Sequence, residues 1–217
     1  MTPDPSPRRP GVLVAALSWA GYAALAVLAT VAPRNGFDVA VRDLARPGDD
    51  WGPVQQRWDV LQNALQPVVV LAVLVVATLW AVVRRRSLRP ALTTATAAVA
   101  GVAVVSVSKV LVARPDAFSS PGVQSSSFPS GHTFTAVAFL GLALLAVRPR
   151  PPAWAWGVVL VLGAGMGISL LVQGVHWATD VLASIVLGVA CLATVVATGA
   201  AGGDAAAQPK VLPASWR

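Results

Sequence analysis

Charged residues are scarce in this chain of 217 residues, where they make up only 12% of the sequence. Glutamate is absent, so every acidic side chain is an aspartate. Soluble domains typically contain roughly a quarter of charged residues, so this low fraction excludes an ordinary soluble domain. Cysteine occurs once, as Cys191 within an apolar run, which excludes a disulfide framework inside one chain. Histidine occurs twice, as His132 and His176.

What the sequence has in abundance is apolar residues, at 56% of the chain and with a mean hydropathy of +0.69. This composition predicts a polytopic membrane protein. The net charge is +7, and a basic balance can indicate a nucleic-acid partner. Here, however, the positive charges fall in short clusters beside apolar runs, which is typical of membrane topology. We therefore expect membrane lipids as partners and no nucleic acid.

Six apolar runs predict membrane-spanning helices, because about 20 residues at ~1.5 Å each cross a hydrocarbon core of ~30 Å. The fourth run is short, so we expect it to begin beneath the membrane surface. A cleaved signal peptide is the alternative for the first run. That run is long for a signal peptide, and the Ala-Pro-Arg at its end matches a cleavage site poorly, which favours a retained helix. The runs cover residues 11–32, 67–83, 91–113, 132–147, 154–172 and 177–198.

The segments outside these runs complete the predicted organisation. Residues 33–66 are polar, with apolar spacing that predicts one or two helices lying on the membrane surface. Residues 1–10 are expected to be a disordered cytoplasmic tail and residues 200–217 a flexible cytoplasmic tail, with the membrane domain at 11–199. The expected fold is therefore all-α: a six-transmembrane-helix bundle with a short helical extracytoplasmic loop between spans 1 and 2.

The distribution of positive charge predicts the orientation. Arginine and lysine are concentrated in the loops at residues 84–89 and 148–150 and in the two terminal segments. The 33–66 loop, in contrast, balances four arginines with five aspartates. By the positive-inside rule, the basic loops and both termini are cytoplasmic. The composition, rich in Ala and Val with Arg far above Lys, is typical of a GC-rich bacterial genome, so we expect a bacterial cytoplasmic membrane. Six residues suited to chemistry then share the outer side: Lys109, Arg114, Ser130, His132, His176 and Asp180.

His176 and Asp180 are four residues apart at the start of a predicted helix, so their side chains meet on one face. A carboxylate that holds one imidazole nitrogen leaves the other available as a base or nucleophile. An aspartate that only caps the helix is the alternative. Because an ionisable residue in a membrane span is costly, the pair indicates function.

Residues 129–132 read Pro-Ser-Gly-His at the predicted start of span 4. Ser130 can cap this helix, Gly131 lets a ligand approach the backbone, and the free N–H groups there favour an anion. A plain helix start with an interfacial His132 is the alternative. Lys109 could simply extend to the surface. Arg114 precedes a proline, which ends the helix and allows its side chain to turn toward the same anion as Lys109.

Taken in order, these residues resemble the type 2 phosphatidic acid phosphatase (PAP2) superfamily, which also includes the vanadium haloperoxidases. That family has a Lys followed by a spaced Arg-Pro, then Pro-Ser-Gly-His, then Ser-Arg-x5-His-x3-Asp. This chain has Lys109 and Arg114-Pro115, the complete second motif, and Ser169 followed by His and Asp at the family spacing. It departs at two positions, because Asp116 and Leu170 stand where an ungapped alignment has arginines.

The resemblance implies a metal-independent phosphatase, without a cofactor, that acts on the phosphomonoester or diphosphate of a membrane lipid. Polyprenyl diphosphates such as undecaprenyl diphosphate, and phosphatidic acid, are the implied substrate types. His176 would be the nucleophile that forms a phosphohistidine, Asp180 would orient it, and His132 would be the general acid. The implied phosphate-binding set is Lys109, Arg114, Ser130 and Gly131.

Two other functions remain open at this stage. Asp116 and Leu170 motivate a catalytically weak or silent relative that binds or translocates lipid phosphates. A small transporter or structural membrane protein unrelated to phosphate would predict no response to substitution of either histidine. A haloperoxidase does not fit, because those relatives are soluble. The oligomeric state is left open.

Overall fold

The computed structural model describes residues 8–118 and 126–200. These described residues form helices and no strand. The helices are α1 (Arg8–Val31), α2 (Gly36–Ala45), α3 (Pro53–Ala64), α4 (Pro67–Arg85), α5 (Arg89–Val112), α6 (Gly131–Val147), α7 (Ala153–Val172) and α8 (Ala178–Ala197), with a 3₁₀ turn at Pro47–Asp49. The expected all-α membrane bundle is confirmed.

The six predicted spans correspond to α1 and to α4 through α8, and each helix end lies within three residues of its predicted position. Helix α6 has 17 residues and is a shorter apolar helix than its neighbours, as its sequence predicted. Helix α1 begins at Arg8, so residues 8–10 are helical rather than part of the predicted tail. The rest of that tail, and the C-terminal tail from residue 201, lie outside the described residues.

Proline sets several helix ends. Proline stands in the first turn of α3, α4 and α5, where its fixed φ suits the helix and its missing N–H is not needed. Helix α5 ends at Val112, and the next residue, Ala113, has a left-handed φ of 44°. The following Arg114 precedes Pro115, which disfavours helical geometry at Arg114. The chain therefore leaves α5 where the sequence predicted.

Helix α6 is the centre of the bundle, since most of its side chains are buried and it packs against α4, α5, α7 and α8. Glycines allow this close approach. A Cβ added at Gly163 of α7 would lie 2.2 Å from Val137 Cγ2, and one at Gly188 of α8 would lie 2.7 Å from Val137 Cγ1. Helices in lipid associate through such close packing, because lipid tails are as apolar as the side chains they replace.

The polar segment between α1 and α4 covers one end of the bundle. Helix α3 packs against α7, and α2 packs against α7 and α8. Asp38 of α2 and Gln55 of α3 are buried. The segment was expected to lie along the membrane surface, and its helices are present as predicted. Burial of a charged residue within it shows that the segment is also part of the packed structure at the end of α8 where Asp180 lies.

Candidate active site

A cavity of about 610 Å³ opens among α5, α6, α7 and the start of α4. Its wall includes apolar side chains such as Val105 and Phe134, and it also collects polar groups from separate parts of the chain. We call it the histidine cavity, because both histidines of the sequence line it. Its lining includes Gly131 and the polar residues Lys109, Asp116, His132, Gln173 and His176.

His176 lies in the turn between α7 and α8, with its Nδ1 at 3.4 Å from Oδ2 of Asp180. Asp180 is fully buried, and the same oxygen accepts the backbone N–H of Trp177 at 3.0 Å. One carboxylate therefore both caps α8 and holds the imidazole. Since Nδ1 faces the carboxylate, Nε2 is the ring nitrogen that can serve a ligand in the cavity.

The second oxygen of Asp180 is held by Arg114. Arg114 Nη1 donates to Asp180 Oδ1 at 2.5 Å and to Thr179 Oγ1 at 2.6 Å, and Nη2 donates to Asp38 Oδ2 at 2.6 Å. Nε and Nη2 also donate to the carbonyl oxygen of Pro33, at 2.9 and 2.8 Å. All three charged side chains have 0% exposure. The guanidinium is thus enclosed between two carboxylates on the far side of Asp180 from His176.

Arg114 was predicted to bind phosphate, and the structure places it elsewhere. It is buried in this ion-pair network and is not part of the wall of the histidine cavity. The physical reason is charge: two buried carboxylates, Asp38 and Asp180, need a counter-ion, and removing one partner of a buried ion pair costs about 3–5 kcal/mol. A guanidinium with fixed, forked donors satisfies both carboxylates at once.

The Pro-Ser-Gly-His segment forms the N-terminus of α6. Ser130 is the N-cap residue, and its side chain accepts the N–H of Thr133 at 3.4 Å. Its own N–H donates to the carbonyl oxygen of Asp180 at 3.5 Å, which joins the starts of α6 and α8. Ser130 is fully buried, so its hydroxyl serves the helix and not the cavity wall. Gly131 does line the cavity, and no atom lies within 4 Å of where its Cβ would be.

His132 and Lys109 complete the polar wall. His132 Nε2 lies 3.3 Å from Oε1 of Gln66, the residue immediately before α4. Lys109, in the last turn of α5, donates from Nζ to the carbonyl oxygen of Ser126. The cavity therefore brings together Lys109, Gly131, His132 and His176 of the predicted site, with Asp180 directly behind His176.

Both departures from the family motifs also line the histidine cavity. Asp116 contributes a carboxylate to its wall, and Leu170 of α7, only 2% exposed, contributes an apolar side chain. The segment before α4 does bring two further arginines to the neighbouring surface. Arg46 Nη1 donates to the carbonyl oxygen of Gln173 at 2.5 Å, and Arg42 Nη1 donates to that of Ala117 at 3.4 Å. Their other contacts include ion pairs with Asp43 and Asp49, and neither arginine is part of the wall of the histidine cavity.

Sequence reasoning missed three residues that touch the site: Asp38, Gln66 and Thr179. Asp38 stands in a stretch that also contains surface aspartates and arginines, so nothing in the sequence separates it from them. Gln66 looks like an ordinary residue before a proline-led helix. Thr179 lies between His176 and Asp180 and was readable only as a spacer. Within residues 8–118 and 126–200, no group of three or more His, Cys or Asp side chains is placed to hold a metal ion.

Comparison with known proteins agrees with this architecture. A model of the PAP2 superfamily matches residues 90–201, which is more than half of the chain. The fold is similar to one described as the "first transmembrane PAP2 type phosphatidylglycerolphosphate phosphatase from Bacillus subtilis", with a TM-score of 0.66 and 21% identity over 85% of this chain and 94% of that chain. No curated protein matches the sequence. The chain therefore belongs to the PAP2 superfamily, as its motifs predicted, and is an integral membrane protein.

Proposed function

We propose that the chain is a metal-independent phosphatase that hydrolyses the phosphomonoester or diphosphate of a membrane lipid through a phosphohistidine. One observation carries this proposal: His176, held at Nδ1 by the buried Asp180, and His132 line the same cavity. Hydrolysis through a covalent intermediate needs a nucleophile and a separate proton donor in one site, and these two side chains have the required chemistry. Membership of the PAP2 superfamily supports the same reaction class.

In the first step, Nε2 of His176 attacks phosphorus, a P–N bond forms, and the P–O bond to the leaving oxygen breaks. Protonated His132 gives its proton to that oxygen, so the lipid alcohol, or the lipid monophosphate from a diphosphate, departs neutralised by one proton. Asp180 stabilises the imidazolium that develops at His176. In the second step, His132 takes a proton from water, the water oxygen attacks phosphorus, the P–N bond breaks, and inorganic phosphate is released.

The negative oxygens of the transferring group need positive partners in the same cavity. Lys109 supplies one charge. The start of α6 at Gly131 supplies backbone N–H groups and the positive end of a helix dipole. We assign Arg114 no direct contact with phosphate, because its donors are directed to Asp38, Asp180 and neighbouring oxygens.

We further propose that the histidine cavity faces outward from a bacterial cytoplasmic membrane, with both termini cytoplasmic. His132 lies at the start of α6, and a cluster of arginines lies near the opposite end of that helix. Arg85, at the end of α4, donates to the carbonyl oxygen of Ala146 near the end of α6 at 2.7 Å. Arg84 lies in the last turn of α4 and Arg86 directly follows that helix, while Arg148 and Arg150 lie between α6 and α7. The positive-inside rule then places the cavity on the opposite, outer side.

The test is phosphate release by the purified protein in detergent with EDTA present. The substrates are a polyprenyl diphosphate, a polyprenyl monophosphate and phosphatidic acid. We expect release from at least one of them and its loss in His176→Ala. We also expect an acid-labile phosphoprotein in the native protein, but not in His176→Ala, when the reaction with substrate labelled at phosphorus is quenched in alkali. Asp43→Asn, at an exposed position paired with Arg42, is the control variant. Equal release by the native protein and His176→Ala would exclude the mechanism.

A silent relative that binds or translocates lipid phosphates is the second candidate, because Asp116 and Leu170 line the cavity where the family motifs have arginines. It predicts that the folded native protein binds these lipids and releases no phosphate. Leu170→Arg separates the candidates. A charge-assisted hydrogen bond contributes about 1.5–3 kcal/mol, so a weak enzyme should gain about 10- to 100-fold in turnover. A silent relative that lacks more than this one contact should gain none.

A further inference from the structure

Asp38 belongs to a charged network that is connected to the candidate nucleophile, His176, through two other side chains. Its Oδ2 accepts from Arg114 Nη2 and from Thr179 Oγ1, each at 2.6 Å. Its Oδ1 accepts the backbone N–H of Thr179 at 2.8 Å. Arg114 then holds Asp180 at 2.5 Å, and Asp180 holds His176. Asp38 lies in α2, outside the residues 90–201 that match the family model, so that match assigns it no role.

We propose that Asp38 is a positioning residue for the reaction at His176, through which α2 supports the candidate active site. This inference rests on the proposed function in that His176 is taken as the nucleophile. Asp38 fixes Thr179 at the first turn of α8 and balances the charge of Arg114. Asp180 thus keeps its orientation, and its negative charge still acts on the imidazole because Asp38 offsets the charge of Arg114.

The charge argument has a definite sign. Two carboxylates, Asp38 and Asp180, pair with the single guanidinium of Arg114, so these three side chains together have one net negative charge near His176. If Asp38 loses its charge, Arg114 cancels Asp180 and the group becomes neutral. The imidazolium is then less stable, so the titration midpoint of His176 moves to lower pH. If Arg114 is neutralised as well, the single charge of Asp180 remains and the midpoint moves back.

Other charged groups also face His176, and the test has to leave them unchanged. Within the described residues, those at the cavity are Lys109 of α5, Asp116 of the loop after α5, and His132 of α6. Arg46, the residue directly after α2, and Asp59 of α3 contact the neighbouring Gln173, at 2.5 Å and 2.9 Å. Substitutions at Asp38 or Arg114 leave all of these side chains in place. A change in the titration midpoint of His176 can therefore be assigned to the network of Asp38, Arg114 and Asp180.

The experiment compares the native protein, Asp38→Asn and the double variant Asp38→Asn/Arg114→Gln. The protein in detergent is labelled at histidine and titrated by NMR. Only two histidine signals are possible, and His132→Gln identifies which belongs to His176. A charge in direct contact shifts a titration by about 1–3 units. For the more distant Asp38 we expect a downward shift of about 0.5–1 unit in the single variant and return to the native midpoint in the double variant.

Activity provides the second readout. In Asp38→Asn we expect kcat to fall about 10- to 100-fold, the range for loss of one charge-assisted hydrogen bond, with little change in KM. The acidic limb of the rate profile should move down with the midpoint. Asp43→Asn is the matched control, since it is the same substitution on the same helix at an exposed position. It should leave both readouts at native values.

Three results would overturn the proposal: an unmoved or raised midpoint in Asp38→Asn, a double variant that stays at the single variant's midpoint, or the same shift in Asp43→Asn. A purely structural role predicts that the double variant is at least as impaired as the single one. If Asp38→Asn does not fold, Arg114→Gln replaces the native protein as the reference, and the midpoint of the double variant must lie below that of Arg114→Gln. The NMR titration needs no substrate, so it separates failure of this inference from absence of phosphatase activity.

Discussion

A methyl group added at Gly188 tests how tightly α6 is held between its neighbours. The new Cβ would lie 2.7 Å from Val137 Cγ1 and 2.9 Å from Val137 Cβ, whereas ordinary contacts begin at 3.4 Å. The Cβ of Val137 moves only with the backbone of α6. Rotation of its side chain gives no relief either, because the other methyl group already occupies the space beside Gly163. Helices α6 and α8 must therefore move apart.

The cost follows from this geometry. Overpacking a well-packed core typically costs about 1–3 kcal/mol, and the better helix propensity of alanine offsets up to about 1 kcal/mol of that. We expect Gly188→Ala to be destabilised by about 1–2 kcal/mol. At roughly 2–4 °C per kcal/mol for a chain of this size, the midpoint of thermal unfolding should fall by about 2–8 °C. Turnover should also fall, since α6 contains His132 and α8 contains Asp180.

Thermal unfolding in detergent, followed by helical circular dichroism, measures the effect. Gly157→Ala is the matched control, because no atom lies within 4 Å of its added Cβ, and it should be neutral or slightly stabilising. Val137→Ala should restore most of the loss when combined with Gly188→Ala. A Gly188→Ala protein as stable as the native one, or a double variant whose effects simply add, would refute the packing argument.

Two further predictions concern the wall of the histidine cavity. Lys109→Met should lower kcat/KM about 10- to 100-fold, because it removes the one lysine among the described residues that lines the histidine cavity and could stabilise negative charge there. Substrate titrations check this, and an unchanged kcat/KM would contradict a role in charge stabilisation. Gln66→Leu should lower kcat a few-fold with KM unchanged, because His132 Nε2 loses its partner at 3.3 Å. Steady-state kinetics measures it, and an effect on KM alone would show that Gln66 binds substrate instead of orienting His132.

The membrane fold could be predicted from the sequence almost completely. Each span is a run of apolar residues whose length is set by the thickness of the bilayer, and its ends are set locally by proline or clustered arginines. The predicted ends of α4 through α8 accordingly lie close to those of the structure. The grouping of the two histidines and Asp180 at one end of the bundle could also be predicted, because His176 and Asp180 are four residues apart on one helix face and Pro-Ser-Gly-His stands at a helix start.

The partners of Arg114 could not be read from the sequence. Arg114 and Asp38 are separated by 76 residues. Arg114 was predicted to bind phosphate, and Asp38 was visible only as one of several charged residues in the 33–66 loop. A buried guanidinium takes whichever carboxylates the packing brings to it, because leaving any of these charges unpaired away from water is costly. The sequence by itself therefore determined the bundle, the family and the two histidines. Only the tertiary structure decided that Arg114 supports Asp180 from behind and that α2 supplies its second counter-ion.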